Sequence, residues 1–104
     1  MTILFNTDHN STASEKFRAS LTDQITGELS RFSEHITRLE VHLADENGNK
    51  EGINDKRCII EARVEGRPPM AVTNHANTHE QAVNGAIDKL KASLNTVFDR
   101  LKSH

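Results

Sequence analysis

Hydrophobic positions along the chain follow two periods, and they switch between them in an ordered way. Residues 2–7, Thr-Ile-Leu-Phe-Asn-Thr, are rich in strand formers and predict a short first strand. A polar run, DHNST, follows, and Thr12 with Glu15 three residues on makes a capping-box pattern. Phe17, Leu21, Ile25, Leu29, Phe32 and Ile36 then recur at spacings of three or four. That stripe predicts an amphipathic helix of about five turns, weakened slightly by Gly27 on its polar side.

From residue 38 the period becomes two. In RLEVHLA (38–44), Leu39, Val41 and Leu43 share one face and Arg38, Glu40 and His42 the other. The run 45–55, DENGNKEGIND, is polar and glycine-containing and reads as a long loop. Alternation returns in 56–65, with Cys58, Ile60, Ala62 and Val64 inward and Arg57, Ile59, Glu61, Arg63 and Glu65 outward. Gly66-Arg67-Pro68 predicts a turn, and 69–74 a last strand with Pro69 at its start, where a missing N–H is tolerated. Thr78 and Gln81 repeat the capping-box spacing. Val83, Ala86, Ile87, Leu90, Leu94, Val97, Phe98 and Leu101 define a second long helix. The order is β-α-β-β-β-α, an α+β fold. Each helix has one apolar stripe and the sheet one apolar face, so both helices should pack on one side of a four-stranded sheet.

At 104 residues the chain suits a single domain, 1–104, and excludes a large two-domain enzyme. With no Trp, no Tyr and four Phe, an aromatic platform for stacking bases is not expected. Cys58 is the only cysteine, so an intrachain disulfide and a cysteine-based zinc site are excluded, and a reducing compartment fits. The start of the chain lacks the basic segment of a secretory signal, and no apolar run reaches the length of a membrane span. These features suggest a cytoplasmic protein with no membrane partner. The net charge of −2 runs against the basic balance of most nucleic-acid binders, although a local patch still attracts phosphate.

Candidate chemistry is sparse. The run from Asp45 opens like a calcium loop, but Lys50 replaces its glycine and Lys56 its bidentate glutamate. His75 and His79 are four apart, yet a helix beginning near Thr78 leaves His75 outside it. His42, on the polar face of its strand, can pair with an outward carboxylate across the sheet. Cys58, on the inward face, reads as a small core hydrophobe rather than a nucleophile. There is no phosphate-binding glycine loop, nucleophile elbow or pair of catalytic carboxylates. No catalytic residue, metal, cofactor or small-molecule substrate is therefore expected, and the protein reads as a non-enzyme.

The second helix carries the best candidate surface. At about 100° per residue, Lys89 and Arg100 fall on one shoulder of its apolar stripe and Lys91 and Lys102 on the other. The members of each pair are about 16 Å apart along the axis. Such rails can bridge phosphates of a folded RNA. The ordinary alternative is that their stems cover the apolar stripe and their charges suit a helix C-terminus.

The segment HEQAVNGAIDKLKASL, closed by FDRLKSH, resembles the last helix of the ribosome hibernation-promoting factor family, which includes ribosome-associated inhibitor A. LEVHLAD (39–45), the DENG loop after it and Lys56-Arg57-Cys58 also resemble members of this family, so the likeness spans essentially the whole chain. The resemblance implies the same β-α-β-β-β-α fold. It also implies a regulator that binds rRNA phosphates of the small ribosomal subunit and blocks the mRNA/tRNA channel of idle ribosomes, in stationary phase or under stress. Carried over by position, Lys89, Arg100 and Lys102 match basic places in the family's last helix, with Lys91 beside them. Lys16, Arg18 and Arg31 are candidates on the first helix by location. The chain departs from the family at Asn95-Thr96-Val97-Phe98, where close relatives are strongly basic, and Asp23, Glu28 and Glu34 dilute the first helix. Without the long C-terminal extension of some members, it should act as a short form. The alternative is a protein-interaction module with the same fold that has lost rRNA binding and associates with itself or another protein through Ile59 and the Val97-Phe98 pair.

Overall fold

The computed structural model describes residues 1–7, 15–45 and 55–102, with backbone alone at 100–102. The element order is β1 (Thr2–Thr7), α1 (Glu15–Glu28), a 3-10 turn (Ser30–Phe32), β2 (Ile36–Asp45), β3 (Lys56–Val64), β4 (Met70–Ala76) and α2 (His79–Lys102). The four strands form one sheet in sequence order. β1 runs parallel to β2 because α1 carries the chain back between them, while β2, β3 and β4 form an antiparallel meander.

The predicted alternation becomes a set of rows across the sheet. Phe5, Val41, Ile60 and Val72 lie opposite one another in turn, as do Ile3, Leu39, Ala62 and Met70. These rows face the helices. In the two central strands Leu39, Val41, Leu43, Cys58, Ile60, Ala62 and Val64 are all buried. Leu21 and Ile25 of α1 and Ala82, Val83, Ala86, Ile87, Leu90 and Leu94 of α2 complete the same core. Each fully buried aliphatic side chain contributes roughly 1.5–3 kcal/mol of transfer free energy. Cys58 is part of this core, and burial pushes its thiol up to about 12, so it serves as a core hydrophobe.

The first helix is shorter than its stripe predicts. α1 ends at Glu28, next to Gly27, and Leu29, Phe32 and Ile36 continue the spacing on other backbone. Leu29 precedes the 3-10 turn, Phe32 closes it, and Ile36 opens β2 opposite Val64. All three are buried in the common core. Spacing of three and four is satisfied by a helix followed by a tight turn as well as by a continuous helix, and β2 needs these residues to reach its pairing with β3. The Thr12 capping box and most of the 45–55 loop lie outside the described residues.

The second cap is present: the Gln81 N–H donates to Thr78 Oγ1 at 3.1 Å. α2 then lies close to β4. A Cβ on Gly85 would collide with the Asn74 side chain, and Asn74 Nδ2 donates to the Gln81 and Ala82 carbonyls at 3.4 and 3.2 Å. Glycine at 85 is what permits this strand-to-helix contact.

Candidate nucleic-acid interface

The two helices run in the same direction. α1 returns antiparallel to β1, and α2 returns antiparallel to β4, which itself runs parallel to β1. Their facing edges meet in a polar seam that advances along both helices together. Gln24 bonds to Asn84, the Lys91 ammonium lies 2.9 Å from Glu28 Oε2, and Arg31 Nη1 donates to Asn95 Oδ1 at 2.9 Å. Arg31 also has a guanidinium nitrogen 3.9 Å from Asp99 Oδ1 and stands over the Phe32 ring, 5.3 Å from its centre.

This arrangement sorts the seven candidate cations. Lys91 and Arg31 come together on the seam, each beside a carboxylate. The hydrogen bond and charge of Glu28 hold the Lys91 ammonium above its ordinary range, so it stays charged but locally neutralised. Lys89 leaves the helix on the other side, as the angular reading requires, and its ammonium donates to the Thr73 carbonyl of β4 at 2.7 Å. Lys16 and Arg18 are exposed in the first turn of α1, whereas Arg31, expected on the same helix, lies beyond its end in the 3-10 turn, because α1 stops at Glu28. Arg100 and Lys102 lie in the last turns of α2, and their side chains fall outside the description. The cations thus occupy separate stations along the two-helix layer, with acidic partners on the seam.

Phe98 is half-buried rather than fully exposed. It stacks on Phe32 with ring centres 5.5 Å apart, touches His35 at 4.7 Å and packs against the core. Val97 and Ile59 are only partly accessible, whereas Met1 and Leu4 are the exposed large hydrophobics among the described residues. The apolar pair at 97–98 sits where the core runs out beneath the end of α2, and Phe32 from the 3-10 turn reaches up to meet it.

Other polar groups lie at the loop between β2 and β3 and on the open face of the sheet. Lys56 bonds Asp45 at 3.0 Å and Asp55 at 3.2 Å, both buried, and so clamps the base of the loop between β2 and β3. Asp45, the first residue of the calcium-like run, is therefore occupied by an ammonium, which its hydrogen bond holds above the ordinary lysine range. His75 lies on β4, outside α2, as the spacing predicts. His42 pairs with carboxylates on the open face of the sheet, at 3.5 Å from Glu40 and 3.6 Å from Glu61. No helix among the described residues is long and apolar enough to cross a membrane.

The fold is shared with known structures. The chain is similar to a ribosomal subunit interface protein from Coxiella burnetii, with a TM-score of 0.75, 15% identity, and 95% of this chain and 99% of that one covered. It is also similar to the N-terminal domain of Thermus thermophilus Protein Y, with a TM-score of 0.72, 18% identity, and 93% and 99% covered. These likenesses establish the fold. No curated protein matches the chain. The family model described as Sigma 54 modulation protein / S30EA ribosomal protein matches residues 6–102. With that match running from β1 to the end of α2, the chain belongs to the Sigma 54 modulation protein / S30EA ribosomal protein family, the hibernation-factor group that its strand order and last helix resemble.

Proposed function

We propose that the protein is a non-enzymatic, cytoplasmic ribosome-associated regulator. It binds rRNA phosphates of the small subunit and sterically blocks the mRNA/tRNA channel in idle ribosomes. Family membership across residues 6–102 is the observation that carries this reading. The solved relatives support it, since one is named for the ribosomal subunit interface. The stations of Lys89, Arg100 and Lys102 on α2, with Lys91 and Arg31 on the seam and Lys16 and Arg18 on α1, supply point contacts to phosphate. Recognition of folded RNA by shape and phosphate needs no aromatic stacking platform.

One observation favours the alternative of a protein-interaction module. Glu28 already occupies Lys91, and Asn95 and Asp99 engage Arg31, so the seam offers RNA less positive charge than its cation count suggests. Co-sedimentation with purified small subunits at low and physiological salt separates the two readings. Saturable binding that weakens steeply with salt supports the phosphate interface. Lys89→Glu with Arg100→Glu should abolish it while the far-UV circular dichroism stays unchanged. Absence of binding at either salt rejects the ribosomal reading in favour of a protein partner or self-association.

A further inference from the structure

The face of the sheet opposite the helices holds a second cluster, independent of the ribosomal reading. Register places Glu40 of β2 directly opposite Glu61 of β3, and His42 one step along the same face. Two carboxylates facing each other across a strand pair destabilise the sheet unless a cation joins them. Arg38 Nη2 takes one oxygen of Glu40, Oε1, at 3.1 Å. The other oxygen, Oε2, is turned toward the imidazole, 3.5 Å from His42 Nε2, and Glu61 Oε1 approaches the same nitrogen at 3.6 Å. That nitrogen is buried and has no hydrogen-bond partner among the described residues.

We propose that Glu40, His42 and Glu61 form a binding site for a divalent transition-metal ion of the zinc type. One ligand atom from each residue falls within 4.8 Å of the other two. Ligands about 2.1 Å from zinc stand about 3.4 Å apart in a tetrahedron, close to both imidazole–carboxylate separations. An imidazole nitrogen beside two carboxylates suits zinc or manganese better than calcium or magnesium, which take oxygen ligands. A small shift of the exposed Glu61 closes the third edge. The ring is one-third exposed, so a further coordination position opens to water.

One amide rotation completes an outer shell. The Asn6 side-chain amide lies 3.5 Å from His42 Nδ1, the ring nitrogen turned away from the carboxylates. With the amide rotated by 180°, Asn6 Oδ1 accepts the Nδ1 proton, which leaves Nε2 unprotonated and directed at the metal. Arg38 holds Glu40 from its far side.

Titration calorimetry of the full chain with zinc chloride tests the site. One zinc ion should bind, and His42→Gln and Glu61→Gln should each weaken it at least about tenfold, since even outer-shell losses cost that much at metal sites. Asn6→Asp should tighten it, because a carboxylate is a stronger acceptor for Nδ1–H. Neither ligand variant should lower the melting temperature of the zinc-free chain, and Glu61→Gln should raise it by removing the like-charge pair. Failure of the wild type to bind zinc at millimolar concentration overturns the site. So does wild-type affinity in either ligand variant, which places any bound zinc on other residues.

Discussion

The two faces of the sheet are built from the same alternating strands, yet they are held by different physics. On the inner face, rows such as Phe5, Val41, Ile60 and Val72 are apolar from edge to edge and are covered by both helices. On the outer face the neighbouring row, Asn6, His42, Ile59 and Thr73, is polar except for Ile59, and the next one sets Glu40 against Glu61. The inner face contributes stability through burial. The outer face keeps charged groups close together at little gain, which is where a ligand has most to add. The helical layer shows a similar division. Its inward stripe is buried, while its seam pairs cations with carboxylates and amides.

The sharpest way to break this comparison is to truncate adjacent isoleucines on β3. Ile60→Ala should cost about 2–5 kcal/mol, while Ile59→Ala on the outer face should cost about 1 kcal/mol or less. Thermal unfolding should separate them by roughly ten degrees, at about 4–8 °C per kcal/mol for a domain of this size. Equal losses would show that the outer face is covered as thoroughly as the inner.

Cys58 sharpens the contrast through pH. Its thiol moves from 9.0 to about 12 because burial disfavours the thiolate. The folded state therefore keeps a proton that the unfolded state releases above pH 9. The contribution is fully present below pH 9 and is lost as pH rises toward 12, by about 1.4 kcal/mol per pH unit in that window. Urea midpoints at pH 8 and pH 10 should fall further for the wild type than for Cys58→Ala. Parallel losses would place the thiol in contact with water.

A smaller effect tests how α2 is seated over the inner face. Thr78→Ala removes the acceptor of the Gln81 N–H and should cost about 1 kcal/mol, read as a lower urea midpoint with an unchanged slope. Smallest of all is Glu28→Gln on the seam. It should leave the melting temperature almost unchanged, because exposed ion pairs add little to stability. Under the proposed function it releases Lys91 for phosphate, so subunit binding at low salt should rise a few-fold and its salt dependence steepen. Unchanged binding would remove Lys91 from the interface.

Much of the architecture was legible in the chain because alternation and helical spacing report burial directly. The inward sets on β2 and β3 and the cap at Thr78 follow from local rules and appear as read. The end of α1 did not follow. Leu29, Phe32 and Ile36 keep a helical spacing because the core demands apolar side chains there, whichever backbone delivers them. The candidate cations were legible as types and as shoulders of a helix, and Lys89 and Lys91 do diverge as the angles require. Their partners were not, since Glu28 meets Lys91, and Asn95 meets Arg31, across more than sixty positions of sequence.

The sequence by itself determined which face of each element is apolar, where the strands alternate, that α2 begins at a capped threonine, and that Cys58 points inward. These depend on periodicity and on side chains within a few residues of each other. Only the tertiary structure decided that the helices run in the same direction, that the seam neutralises Lys91 and engages Arg31, that Phe98 turns into the core, and that Glu40, His42 and Glu61 converge. Each of those outcomes depends on strand register or helix packing, which bring distant residues to within a few ångströms and which local patterning does not encode.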